Sequence, residues 1–209
     1  MPEQQERQEE IEFQPWPKTP RYNRPIIVTE KIDGTNGQVY IGENGEFAVG
    51  SRKRWVTPEN DNFGFASWAY HHADELIEGL GPGRHFGEWW GSGIQRGYGC
   101  QYGEKHFSLF NTSRWKHTLG NGLYQDRVIK PSLNPTIQEP LEELPDIEGL
   151  YLVPVLAWLL PFNHFHPEDL LHYLEDVGSL ASTGFKKPEG IVIYHIAARS
   201  AFKVTLDEK

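Results

Sequence analysis

One stretch combines residue types that could do chemistry at a fixed spacing: Glu30-Lys31-Ile32-Asp33-Gly34-Thr35-Asn36. The run before it, Pro25-Ile26-Ile27-Val28-Thr29, reads as a buried strand. Lysine is almost never fully buried unless it is paired, so a lysine at the end of such a strand needs a partner or a task. Asp33-Gly34 then turns the chain sharply. One primary amine is thus delivered to the mouth of a sheet, where it can serve as a nucleophile if its surroundings favour the neutral form. Taken alone, the same residues also read as an ordinary hairpin turn.

Further pieces follow in order: Ser51-Arg52, Phe86-Gly87-Glu88, Phe107-Ser108-Leu109-Phe110, Glu189-Gly190-Ile191-Val192 and Phe202-Lys203-Val204. Each has a plain reading as well. Arg52 belongs to a solvated trio with Lys53 and Arg54, Phe110 could fill a core, and Glu189 could cap a turn before a strand. Two histidine pairs invite a metal reading: His71 and His72 fall on a predicted helix, and His164 and His166 fall in a loop. Neither pair has a further ligand at a suitable offset, so packing or surface roles are expected for them.

The elements that must position these residues are mixed. Gln38-Val39-Tyr40-Ile41 and Glu46-Phe47-Ala48-Val49 flank Asn44-Gly45, a strong hairpin signal. Phe65, Trp68, Ala69, His72, Leu76 and Leu80 recur near helical spacing, which predicts one helix between Asn62 and Leu80. Arg84 to Gly91 and His106 to Phe110 read as strands, and the glycine-rich Ser92 to Lys105 reads as a mobile surface loop. Leu150 to Leu160 reads as a core strand broken at Pro154. Pro167-Glu168-Asp169 starts a helix with proline in the first turn and acids beside it, and Gly178 ends it. Strands from Glu189 and from Ala201 close the pattern, with a turn at 197–200.

With 209 residues, the chain fits one domain, and 7 Trp, 9 Tyr, 11 Phe, 21 Gly and 15 Pro favour strands and loops over a helical bundle. The expected organisation is an acidic tail and extended arm over 1–24, then a single domain over 25–209. The net charge of −9 would argue against a nucleic-acid partner, but it is concentrated: residues 1–12 carry −4 and residues 139–148 carry −5. The neutral remainder has basic groups at Arg52-Lys53-Arg54, at Arg114, Lys116, Arg127 and Lys130, and at Lys186-Lys187, which permits a phosphate-binding surface. The single cysteine, Cys100, excludes an intrachain disulfide and a cysteine-clustered zinc site. With no secretory signal and no apolar run of membrane-spanning length, a soluble, cytoplasmic protein with no membrane partner is expected.

Together, and in this order, the six pieces resemble the covalent nucleotidyltransferases: ATP-dependent RNA and DNA ligases and messenger-RNA capping enzymes. Glu30-Lys31-Ile32-Asp33-Gly34-Thr35-Asn36 is most similar to the RNA ligase 2-like branch, and the resemblance spans roughly residues 25–205. It implies an α+β fold of two packed antiparallel sheets with flanking helices, the ligase and capping-enzyme nucleotidyltransferase fold, ATP-grasp-like, with the nucleotide between the sheets. It implies that Lys31 attacks the α-phosphorus of ATP to give lysyl-AMP, that AMP passes to a 5′-phosphate end, and that a 3′-hydroxyl of RNA, or alternatively DNA, displaces it. Arg52 and Glu88 would hold the nucleotide, Phe110 would stack on adenine and Glu30 would help select it. Asn36 would lie near the phosphates, Lys203 would neutralise the α-phosphate, and Glu189 would hold Mg²⁺ or Mn²⁺. Two departures stand out. Val204-Thr205 follows Lys203 where a second lysine is common, so one phosphate contact is either missing or supplied by Lys186 or Lys187. A further C-terminal domain, often an OB-fold, is absent from the expected layout, so a protein partner could complete the molecule, or the reaction could stop at AMP transfer.

Overall fold

The computed structural model describes residues 12–116 and 142–207. The tail 1–11, Arg127, Lys130 and Glu139 lie outside the described residues. The order of elements is β1 (Pro25–Lys31), β2 (Thr35–Ile41), β3 (Phe47–Ser51), β4 (Trp55–Val56), α1 (Phe65–His71), α2 (Ala73–Leu80), β5 (Gly83–Gly91) and β6 (Lys105–Leu109). Then come β7 (Leu150–Leu152), β8 (Val155–Pro161), α3 (Pro167–Val177), β9 (Gly190–His195) and β10 (Ser200–Thr205). The strands make two sheets, one ordered β10-β9-β1-β8 and one ordered β4-β3-β2-β5-β6-β7. All pairs are antiparallel except β6 with β7. The α+β architecture of two sheets with helices outside therefore holds, with one parallel pair added.

Period-two alternation decides what each sheet face does. In β1, Ile26 and Val28 point outward into a core shared with Leu156, Leu160, Ile191, Ile193 and Leu170 and Leu174 of α3. Ile27, Thr29 and Lys31 point to the other side, into a cleft between the sheets. β1 is covered on both faces, which is why its sequence is continuously apolar instead of alternating. In β2 and β5, Val39, Ile41 and Trp89 join Phe65, Leu76, Leu80 and Phe107 in a second core under α1 and α2. Asn36, Arg84, Phe86 and Glu88 face the cleft. Gly37 and Gly87 are opposed in register, and a Cβ at either would lie 2.7 Å from the Phe65 or Phe107 ring. Two rings thus lie against the sheet directly behind Asn36 and Glu88.

The helix predicted between Asn62 and Leu80 is two helices joined at His72, which leaves helical geometry with φ −100 and ψ 20. Each start is satisfied separately. Asp61 accepts hydrogen bonds from the backbone N–H groups of Ala66 and Ser67 at 2.7 and 2.9 Å. His72 Nδ1 meets Glu75 at 2.6 Å, with Asp74 and Glu75 in the first turn of α2. The apolar spacing runs unbroken through the joint, which hides it. The apolar run at 150–160 divides at Pro154 as expected, but its halves join different sheets. A β-bulge between β1 and β8, with Leu159 at φ 54, turns Trp158 and Leu159 toward the cleft. The arm before β1 has neither helix nor strand over 12–21, and Tyr22 packs edge-on against Phe162 at 4.7 Å.

Candidate active site

Lys31 ends β1 opposite Gly190, the first residue of β9, so the sheet register places the lysine beside Glu189. Lys31 Nζ donates to Glu189 Oε2 at 2.7 Å. Glu189 is buried. Gly190 makes this approach possible: it adopts φ 151, and a Cβ there would lie 2.2 Å from the Val204 carbonyl.

Glu88 reaches the same place from the other sheet. Its Oε1 accepts from the Gly34 N–H at 3.1 Å and its Oε2 from the Asn36 side-chain amide at 2.9 Å. The Gly34 bond and the charge of Lys31 favour the carboxylate, but burial outweighs them and pushes Glu88 up to about 7. The site thus has a cation–carboxylate pair and a second carboxyl that titrates near neutrality.

The turn after Lys31 is held by the segment expected to be a mobile loop. Arg96 Nε donates to Asp33 Oδ2 at 3.0 Å, and its Nη2 donates to Asp207 Oδ2 at 2.5 Å. Its Nη1 donates to the Lys187 carbonyl at 3.2 Å, just ahead of Glu189. Tyr98 Oη accepts the Asp33 N–H at 2.8 Å, and burial pushes the Tyr98 hydroxyl well above its usual range, so it stays protonated. A kinked 3₁₀ turn at Gly97–Gly99 presents Tyr98, which itself adopts φ 49. One guanidinium thereby fixes the spacing between the lysine turn and the Glu189 segment, a planar fork of donors that a lysine could not reproduce. Nothing in the sequence marks Arg96 except that Asp33, next to an amine, needs a cationic partner.

The cleft is about 1230 Å³ and is bordered by Lys31, Asn36, Glu88, Phe110 and Lys203, together with Glu30. Phe110 is 43% exposed at its rim, as a stacking ring must be and a core ring would not be. Val192 faces the same space from β9. Arg84 also borders the cleft; the motifs do not include it, although alternation with Phe86 and Glu88 on one strand points to it.

Two expected residues are placed differently, Glu30 bordering the cleft without aiming its carboxylate into it. Glu30 points away from Lys31, and its carboxylate accepts from Ser179 Oγ at 2.6 Å, Leu180 N–H at 2.8 Å and Ala181 N–H at 3.1 Å. Burial pushes this carboxyl up while those bonds pull it down. It anchors the loop after α3, so its acceptor capacity is engaged there and not at a base. Arg52 lies in the exposed turn between β3 and β4 and does not border the cleft. Lys186 is also engaged elsewhere: its Nζ donates to the Asp176 and Val177 carbonyls at 3.0 and 3.1 Å, closing the C-terminus of α3. Away from the cleft, ligand atoms of Cys100, Glu104 and His106 lie within 4.8 Å of one another, a donor group that counting cysteines could not reveal.

Among the described residues no helix is long and apolar enough to cross a membrane. The RNA ligase family profile matches residues 24–205. Solved structures of a Naegleria gruberi RNA ligase superpose on the chain. The E227A mutant with ATP and Mn gives a TM-score of 0.55 at 21% identity, and the E312A mutant with AMP and Mn gives 0.54 at 20%. In both, 88% of this chain is covered and 50% of the other, so the chain spans about half the length of those ligases. No curated protein matches the chain.

Proposed function

Because the chain belongs to the RNA ligase family, we propose that it is an ATP-dependent RNA ligase whose nucleophile is Lys31. The observation that carries this reading is the Lys31–Glu189 pair at 2.7 Å, opening into a cleft with a stacking ring at its rim. Lys31 Nζ would attack the α-phosphorus of ATP, forming an N–P bond as the α–β bridging P–O bond breaks and pyrophosphate leaves. The departing Nζ proton has Glu189 Oε2 as its adjacent acceptor. A 5′-phosphate oxygen would then displace the lysine, and a 3′-hydroxyl would displace AMP to form the phosphodiester.

The other groups fit that sequence of charges. Phe110 offers a ring face to adenine, and Val192 offers an apolar surface in the same cleft. Glu88 and Asn36, already bonded to each other, present acceptor and donor atoms to ribose and phosphate oxygens. Lys203 faces the cleft from β10 and would neutralise charge developing on the α-phosphate. A hard divalent cation fits the oxygen donors of Glu189, and Mg²⁺ or Mn²⁺ bound there would offset phosphate charge. ATP, AMP and Mn are named for the Naegleria ligase structures, which supports a nucleotide and a divalent metal for this cleft. The half-length match favours a second reading, in which AMP transfer occurs here and sealing needs a further domain or partner.

The test is incubation with ATP and Mg²⁺ or Mn²⁺, then peptide mass spectrometry. AMP should be found on Lys31, and Glu189→Gln should lower adduct formation by roughly a hundredfold or more, the scale of losing an electrostatic contact to the reacting group. AMP on another lysine, or on none, would overturn the reading. Addition of matched nicked RNA and DNA separates sealing from transfer alone.

A further inference from the structure

The cleft exceeds the roughly 300–1,000 Å³ typical of small-ligand sites, and its walls continue past Phe110 onto an open sheet face. The register defines that face. Gln38 is opposed to Phe86 and to Gly50, and Gly50 is opposed to Trp55, so these side-chain positions share one side of the sheet. The Phe110 N–H donates to the Phe86 carbonyl at 2.9 Å, which extends the row by one more strand. Trp55 and Phe86 are each 50% exposed. With neighbouring strands about 4.8 Å apart, the row runs from Phe110 and Phe86 across Gln38 and Gly50 to Trp55, whose ring centroid lies 6.4 Å from that of Tyr40 on the same face, leading out of the cleft.

Among the described residues, the cations along this band have no carboxylate partner. Arg84, opposed to Tyr40, lies 4.8 Å from the Tyr40 ring centroid and 5.6 Å from that of Trp55. It donates a hydrogen bond to the neutral Gln38 Oε1 at 3.2 Å. Arg52, Lys53 and Arg54 fill the exposed turn leading into Trp55. Among the described residues, none of these four cations is within ion-pair distance of a carboxylate. In a chain of net charge −9, four such cations beside exposed rings form a complementary surface for a polyanion with π faces.

We infer that the Phe86–Arg84–Trp55 face binds unpaired nucleotides of the RNA strand next to the reacting end, with bases on the rings and phosphates on the arginines. The inference rests on the ligase reading and adds the surface that grips the strand. Paired bases would keep their faces from the rings, so the face should prefer single strands to duplex.

The experiment is fluorescence anisotropy with a labelled single-stranded oligoribonucleotide and its duplex, on the full chain, over a range of salt. Trp55→Ala should weaken single-strand binding about tenfold or more, the weight of one stacked base. Arg84→Gln should lower the slope of log affinity against log salt by about one. Single-strand affinity unmoved by Trp55→Ala, or no RNA binding by the wild-type chain, overturns the inference. Binding that follows charge alone, equal for the RNA and for an acidic peptide, also overturns it, in favour of a protein partner. Adduct formation at Lys31 is read separately, so a chain that binds RNA through Trp55 yet takes no AMP would refute the ligase reading instead.

Discussion

Glu88 is where the electrostatics of the site become measurable. A buried carboxyl whose folded value is about 7, against 4.5 when unfolded, binds more protons folded than unfolded between those values. Stability from this group is therefore fully present below about 4.5 and is lost as pH rises toward 7, by at most about 3 kcal/mol. Urea unfolding at pH 5 and pH 8 should show this decline in the wild type, and Glu88→Gln should flatten it. An unchanged slope in the variant would assign the pH dependence to other groups. The positions readable from sequence at this scale were those set by strands: Lys31, Glu88 and Lys203 border the cleft from β1, β5 and β10, and Glu189 directly precedes β9. Glu30 is the counter-example. Its adjacency to Lys31 in sequence turns its carboxylate away from the lysine, onto Ser179, Leu180 and Ala181.

At the level of elements, the glycine at the start of β9 is as much a part of the site as the carboxylate before it. Gly190→Ala must move the β10 backbone, because the added atom would be 2.2 Å from the Val204 carbonyl at a φ of 151. The expected cost is about 2–4 kcal/mol, and adduct formation at Lys31 should fall with it as Glu189 is displaced. Thermal melting together with the adduct assay checks this; a variant with wild-type melting and activity would show that β10 yields freely. Strands and the 167–177 helix were legible because their signals are local: alternation, Asn-Gly, and proline with acids at a helix start. The joint at His72 and the clamp at Arg96 were not, because both depend on side chains meeting across space. Four glycines between Ser92 and Lys105 say only that the backbone is free to turn; they do not say that an arginine there will meet Asp33.

For the whole molecule, the two sheets differ in how far the chain must travel to build them. The pairs β2–β3 and β5–β6 join consecutive strands, and β2–β5 closes only across β3, β4 and the two helices. By contrast β1 is the inner strand between β8 and β9, with Pro25 opposite Pro161 and Lys31 opposite Gly190. Distant pairings form late, because the loop must close before any contact rewards it. In pulse-labelled hydrogen exchange during refolding, amides of β2 and β5 should be protected before those of β1, and the reverse order would refute this. During synthesis the consequence is one of timing. Ile26-Ile27-Val28 leaves the ribosome long before either neighbouring strand exists, and it is an exposed apolar segment until they do. The lysine is made well ahead of its carboxylate, so the nascent chain carries an unpaired Lys31 amine until Glu189 and β9 emerge.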